Sequence, residues 1–393
     1  MRRVSARQCP KSHTSITPKR WESKGTRPLG ESARAELSRP SPVVAFFEPR
    51  TKPRQASKQI LLGDDDMAFP LQLLITGYSG AALYEQRPDG WKSIWQEEGG
   101  APSFACRAGS LVITGQEQPQ GGFLGIYQKE PQGLRLLNRV PTPGGGLCHL
   151  AWNPACRTLY GSCYETGHIL TAELSPEGQV LRLEALEEPE SSLSRTHCCT
   201  LSPEGRYVYG VNIARDRIYR YRAVSGGLEP EGEFLQLPAG EGPRHLCFHP
   251  ALPLACLITE YTSRIWLLSY EPDTGRLRAE GQVSALPEGF SGESYGSGIL
   301  FSPDGRRLYA GNRGADTAAV FALEDGALRK VQDASCGGNW PRHLNLGGDW
   351  LLMANQRSYR VDALRLDGDG LIAGVDFSIP FSHPSYTELF VSV

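Results

Sequence analysis

Gly240–Trp266 reads GEGPRHLCFHPALPLACLITEYTSRIW. A glycine turn leads into an apolar stretch ending at Phe248, and a proline turn follows. A second apolar run, Leu254–Thr259, ends at a polar corner holding Glu260, and a third run starts at Arg264. Short apolar runs bounded by Gly, Pro and Ser clusters are the pattern of β-strands joined by tight turns. The same phrase recurs as GGGLCHLAWNPACRTLYGSCYETGHI from Gly144, LSRTHCCTLSPEGRYVYGVNIARDRI from Leu193, GSGILFSPDGRRLYAGNRGADTAAV from Gly296 and NWPRHLNLGGDWLLMANQRSYRV from Asn339. His149, His197 and His245 stand at equal intervals, as blade repetition alone would place them. A period in the high forties built from strands and turns predicts the blades of an all-β propeller.

LQLLITGYSGAALYEQ from Leu71 and WKSIWQE from Trp91 supply three opening strands, and six repeats follow them. The opening strands and the C-terminal LIAGVDFSIPFSHPSYTELFVSV are expected to share a seventh blade, closing the ring and removing an exposed sheet edge. The fold expected is therefore a seven-bladed β-propeller of four-stranded antiparallel blades, one domain over 67–393. No stretch there keeps a helical period.

Residues 1–66 differ in kind. They carry 14 Lys/Arg against 7 Asp/Glu, mixed with Ser and Pro and without strand or helix periodicity, and lack the apolar core of a signal peptide. They are expected to be a disordered extension, or a leader preceding a start at Met67. The rest carries 27 Lys/Arg against 36 Asp/Glu, which offers no general basic face to nucleic acid, and no run is long and apolar enough to span a bilayer. The ten cysteines are scattered over strand positions, with no CxxC or zinc spacing. Reduced thiols in a cytoplasmic protein, with no metal or other cofactor, are the expectation. Nothing in the sequence fixes the oligomeric state.

In a propeller, equivalent strand ends converge on the mouth of a central channel, so repetition turns sequence spacing into a cluster. His197, Arg244, His245, Glu260, Arg313, Arg342 and His343 sit at such ends. Glu260 follows the apolar LACLIT and needs solvent or a cationic partner, which an arginine of a neighbouring blade supplies. The repeated PRH of Arg244 and Arg342 equally suits packing of inter-blade turns. Asp216, Arg217 and Asp316 are expected to hold blade corners. The SPEG and SPDG turns at Ser202 and Ser302 are β-turns, and no GxSxG elbow is present.

GPRHLCFHP, ITEYTSRIWLLSYEPDTGRL, LPEGFSG, SPDGRRLYAGNRGADTAAVF and NWPRHL…LLMANQ together resemble the lactonase family of seven-bladed β-propellers, which includes propeller-type 6-phosphogluconolactonases and carboxymuconate cyclases. The resemblance runs from Leu71 to the C-terminus. It implies a site formed by the histidine of an HxH segment, the arginine of PRH, the glutamate of an NEL corner and the arginine of NRG, which fall on His197, Arg244, Glu260 and Arg313. Several flanks depart from the family pattern: Arg195 replaces the first histidine, Asn212-Ile213-Ala214 stand for Asp-Leu-Gly, the NEL corner is Thr259-Glu260-Tyr261, and Ala315 follows NRG. What the resemblance implies is hydrolysis of an anionic sugar lactone, with Glu260 and His197 catalytic and Arg244 and Arg313 binding the substrate; Arg342 and His245, placed at the same mouth by the repeats, are expected to bind it with them. A cycloisomerase acting on an unsaturated dicarboxylate uses the same groups, and a non-catalytic binding platform is the third alternative. The expected partner is a small molecule, not nucleic acid or membrane.

Overall fold

The alternating apolar runs pair as the turn signals predict. A computed structural model describes residues 70–187 and 195–390; the expected extension over 1–66 lies outside the described residues. Seven antiparallel sheets of four strands form. Blade 1 combines Gln72–Gly77, Gly80–Arg87 and Gly90–Glu98 with the distant Pro384–Phe390. Blade 2 runs from strand Pro102–Ala108 to strand Gly133–Pro141, blade 3 from Leu147–Asn153 to Val180–Glu187, and blade 4 from Thr196–Leu201 to Gly227–Gln236. Blade 5 runs from Pro243–Phe248 to Arg276–Ser284, blade 6 from Tyr295–Phe301 to Ala327–Ser335, and blade 7 from Pro341–Gly347 to Ile372–Pro380. The C-terminal segment is thus divided: Ile372–Pro380 finishes blade 7, and only Pro384–Phe390 closes the ring. Among the described residues the one helical turn is Gln356–Ser358.

Second strands such as Leu254–Thr259 and Trp350–Asn355 are almost wholly buried, because the blades on either side cover one face each of the middle strands. The apolar clusters between blades form the core; one joins Ile258 and Ile265 of blade 5 to Ala310 and Phe321 of blade 6.

The first strand of each of blades 2–7, and Pro384–Phe390 in blade 1, lies nearest the axis. Each of these seven strands carries a one-residue bulge near its start, where pairing to the second strand slips. In blade 5, Pro243 pairs with Thr259 and His245 with Ile258, which leaves Arg244 unmatched. The equivalent residues are Ser103, Cys148, His197, Ser297, Arg342 and Ser385. An unmatched residue re-aims its side chain, and seven copies place one ring of side chains around the channel.

The equal spacing of the histidines therefore misleads. His149 and His245 follow the bulge, whereas His197 is the bulged residue itself and is the counterpart of Cys148 and Arg244. A one-residue difference in strand register moves a side chain to another place on the wall.

Candidate active site

Three layers line the channel. Innermost is a plug made by residues that follow the bulges. Phe104 packs on His149, His343 and Tyr386 with ring centroids 4.5, 5.4 and 4.7 Å apart, and His245 lies 5.2 Å from His149. Burial, then the charge of Arg244, pushes His149 down to about 3. Burial does the same to His343, also to about 3, with His149, Arg244 and Arg342 adding to it. His197 and His245 are held well below the ordinary histidine value by burial first and Arg244 next. All four imidazoles are neutral at pH 7.

The bulge ring lies above the plug, and above it lie the corner residues that follow each second strand: Tyr78, Glu117, Tyr164, Ile213, Glu260, Arg313 and Gln356. The charged residues of these two rings meet. Arg244, 1 % exposed, donates through Nε to Glu260 Oε2 at 3.0 Å and through Nη1 to the Ser297 carbonyl at 2.6 Å. Arg313, from blade 6, places Nη2 3.0 Å from the same Oε2 and 2.9 Å from the Gly296 carbonyl. Serine at the blade 6 bulge leaves space for the long Arg244 side chain to reach over it.

Burial would raise the Glu260 carboxyl, but Arg313 and Arg244 outweigh it and hold the group below the usual glutamate value. Burial, then Arg313, pushes the Arg244 guanidinium down to about 9, still charged at pH 7. Both arginines reach one oxygen, and none of the described residues' hydrogen bonds engages Oε1. His197 borders this cluster, 5.1 Å from the His245 ring and 5.8 Å from Tyr164, and the charges of Arg244, Arg342 and Arg313 all act on it.

Of the residues singled out in the sequence, Glu260, Arg244, Arg313 and His197 therefore converge, although they come from blades 4, 5 and 6. His245 sits in the plug beneath them. Arg342 is also at the mouth, but its Nη2 lies 3.0 and 2.9 Å from the two oxygens of Glu117. Glu117 and Tyr78 escaped sequence reasoning. The signal for Glu117 was present, since LVITGQE from Leu111 ends in a corner carboxylate just as LACLITE does.

Asp216 and Asp316 hold corners as expected. Each adopts a left-handed backbone, with φ of 52° and 55°. Asp216 accepts the Gly240 and Gly242 amides at 2.8 and 2.7 Å, and Asp316 accepts the Trp340 amide at 2.8 Å. These carboxylates fix the loops that deliver Arg244 and Arg342. On the far side of the plug from Glu260, a 430 Å³ cleft where blades 3, 4 and 5 meet at His149 is lined largely by apolar groups, among them Ala151, Leu246, Phe248 and Pro250.

The model of the family described as lactonase, seven-bladed β-propeller, matches residues 94–388. The chain belongs to that lactonase family. A Bacillus subtilis 6-phosphogluconolactonase is 30% identical to this lactonase-family chain over 262 residues, 62% of the chain and 73% of the relative. A 6-phosphogluconolactonase of Cronobacter sakazakii is 29% identical over 61% of the chain and 72% of its own length. Among solved structures, a periplasmic gluconolactonase of Pseudomonas aeruginosa superposes with a TM-score of 0.76 at 23% identity, covering 82% of this chain and 100% of that one, a likeness of fold. Among the described residues no helix is long and apolar enough to cross a membrane.

Proposed function

We propose that the chain hydrolyses a sugar lactone bearing an anionic group, with the mouth of the channel as its active site. The observation that carries this reading is the single carboxylate of Glu260 held by two buried arginines, in a family whose relatives include 6-phosphogluconolactonases. Ring opening needs three things: a group that takes a proton from water, donors for the carbonyl oxygen as it gains charge, and a cation for the substrate's anion.

Glu260 Oε1 orients the water and accepts its proton as the water oxygen bonds to the lactone carbonyl carbon. His197 stands beside it as a neutral partner for the water or for a ring hydroxyl. Arg313, whose Nε is buried without a partner, and Arg244 donate to the carbonyl oxygen or the anion. When the ring C–O bond breaks, the proton passes from Glu260 to the departing ring oxygen, leaving a hydroxy acid. Nine described cysteines are free, which favours a reducing compartment such as the cytoplasm.

The test is a pH-stat assay of purified protein on neutral, carboxylated and phosphorylated sugar lactones. Hydrolysis above the spontaneous rate is expected for at least one anionic lactone. Spontaneous rates on all of them, with turnover of an unsaturated dicarboxylate, would assign the site to cycloisomerisation.

A further inference from the structure

Across the mouth from Glu260 lies a second acid–guanidinium pair. Arg342 leaves the blade 7 bulge, passes over the Tyr78 ring with its guanidinium carbon 5.3 Å from the centroid, and reaches Glu117 on blade 2. The Tyr78 hydroxyl donates to Glu117 Oε2 at 2.7 Å. Serines occupy the bulges of blades 1 and 2, Ser385 and Ser103, so the arginine crosses a wall of small side chains. The Oγ atoms of Ser103 and Ser297, His197 Nδ1 and Arg313 Nε are all buried without a partner. Orphaned polar atoms around one channel call for a polar occupant.

The charges at this mouth can be counted. Arg244, Arg313 and Arg342 face Glu260 and Glu117, and His197 beside them and the three plug imidazoles beneath are neutral. Within the bulge and corner rings one positive charge is left over; Arg195 and Glu165, which both act on Tyr164, and Arg357, over the Trp340 ring, lie just outside them. Burial works against the Arg342 cation, yet Glu117 outweighs it and raises the group above its ordinary value.

We propose that Glu117 is a specificity-determining residue which sets the charge of the mouth, so that the group held there is a carboxylate, with a single negative charge, rather than a phosphate ester. This rests on the lactone-hydrolase reading. A carboxylate brings the mouth to neutrality. A phosphate monoester, at about −1.5 to −2 near pH 7, leaves negative charge uncompensated where little water screens it. Glu117 already spans Arg342 Nη2 with both oxygens, so it reduces the charge that Arg342 can offer to any bound anion. Glu117 thus acts through Arg342 as a positioning residue.

Calorimetric titration of the full chain with glucuronate and with glucose 6-phosphate tests this, because the two differ at C6 as carboxylate against phosphate. The wild type is expected to bind glucuronate more tightly. Glu117→Gln, which removes one negative charge at constant shape, is expected to shift the preference toward glucose 6-phosphate by about ten-fold. Glu117→Asp should keep the wild-type order. Tighter or equal binding of the phosphate by the wild type, equal losses on both probes in Glu117→Gln, or no binding of either overturns the proposal. Turnover is not needed for this readout. A chain that shows the shift but opens no lactone keeps the charge selection and loses the hydrolase reading; a chain that opens lactones without the shift does the reverse.

Discussion

Glu260 illustrates how two guanidiniums change what a carboxylate can do. Their pull makes it a weaker base but keeps it ionised, so kcat/KM should stay flat from about pH 5 to 8 and fall only below the ordinary glutamate value of 4.5. Because the arginines lower its pKa, the active, charged form is present above that value and is lost as pH falls through it. A pH–rate limb near neutrality would instead place the essential proton on a group other than Glu260 or the buried His197. Glu260→Gln should cut kcat by about 10² to 10⁴ while circular dichroism stays that of the wild type. Loss of the β spectrum would mean that the carboxylate is structural. At this scale the sequence was informative where a charge follows an apolar run. It did not reveal the partner of Arg342, Glu117, which sits 225 positions away in sequence on another blade.

Asp216 spans blades 4 and 5 by two amide hydrogen bonds, and the loop it holds leads directly into Pro243 and Arg244. Asp216→Ala removes both acceptors and should destabilise by about 1–3 kcal/mol, the range for amides left without a charged partner. It should also lower kcat/KM on an anionic lactone, with Asp216→Asn restoring part of both. A melting curve and rate identical to wild type would show that the loop holds its shape unaided. Strand limits in the central repeat, Leu254–Thr259 and the start at Arg264, are legible because turn residues punctuate them. The bulges are not, since a slip in pairing is decided by the partner strand, and the chain of His149, His197 and His245 shows how regular spacing can conceal it.

The neutral imidazoles of the plug, together with His197 beside it, should make the fold acid-sensitive. In the unfolded chain His149, His197, His245 and His343 take up protons near the ordinary value of 6.5; in the folded chain they resist. Their contribution is complete above that value and is lost as pH falls toward 3, at up to about 1.4 kcal/mol per pH unit for each histidine. The melting temperature should drop from pH 7 to pH 5, and His343→Phe, beside Phe104 and Tyr386, should flatten that dependence. Equal melting at both pH values would mean that the plug is hydrated. Deletion from Thr387 removes Leu389 and Phe390 from their pairing with Leu73 and Gln72, and aggregation or loss of cooperative melting is expected from the opened edge. The sevenfold ring itself was legible because repetition, the three opening strands and a C-terminal segment able to complete their blade were all visible in the sequence. The division of the C-terminal segment between two blades was not, since both of its strands look alike.

Closure of blade 1 has a further consequence for how the protein matures. Pro384–Phe390 is the last strand of the ring to be synthesised, and it pairs with Gln72–Gly77, the first. Arg342 and Glu117 face each other across that same blade. During translation, blades 2–6 can assemble Arg244, Glu260 and Arg313, but the ring cannot close until the final strand leaves the ribosome. A nascent chain stalled before Pro384 would therefore hold half of the charged mouth, so acquisition of function should come as a late, single step at ring closure rather than blade by blade.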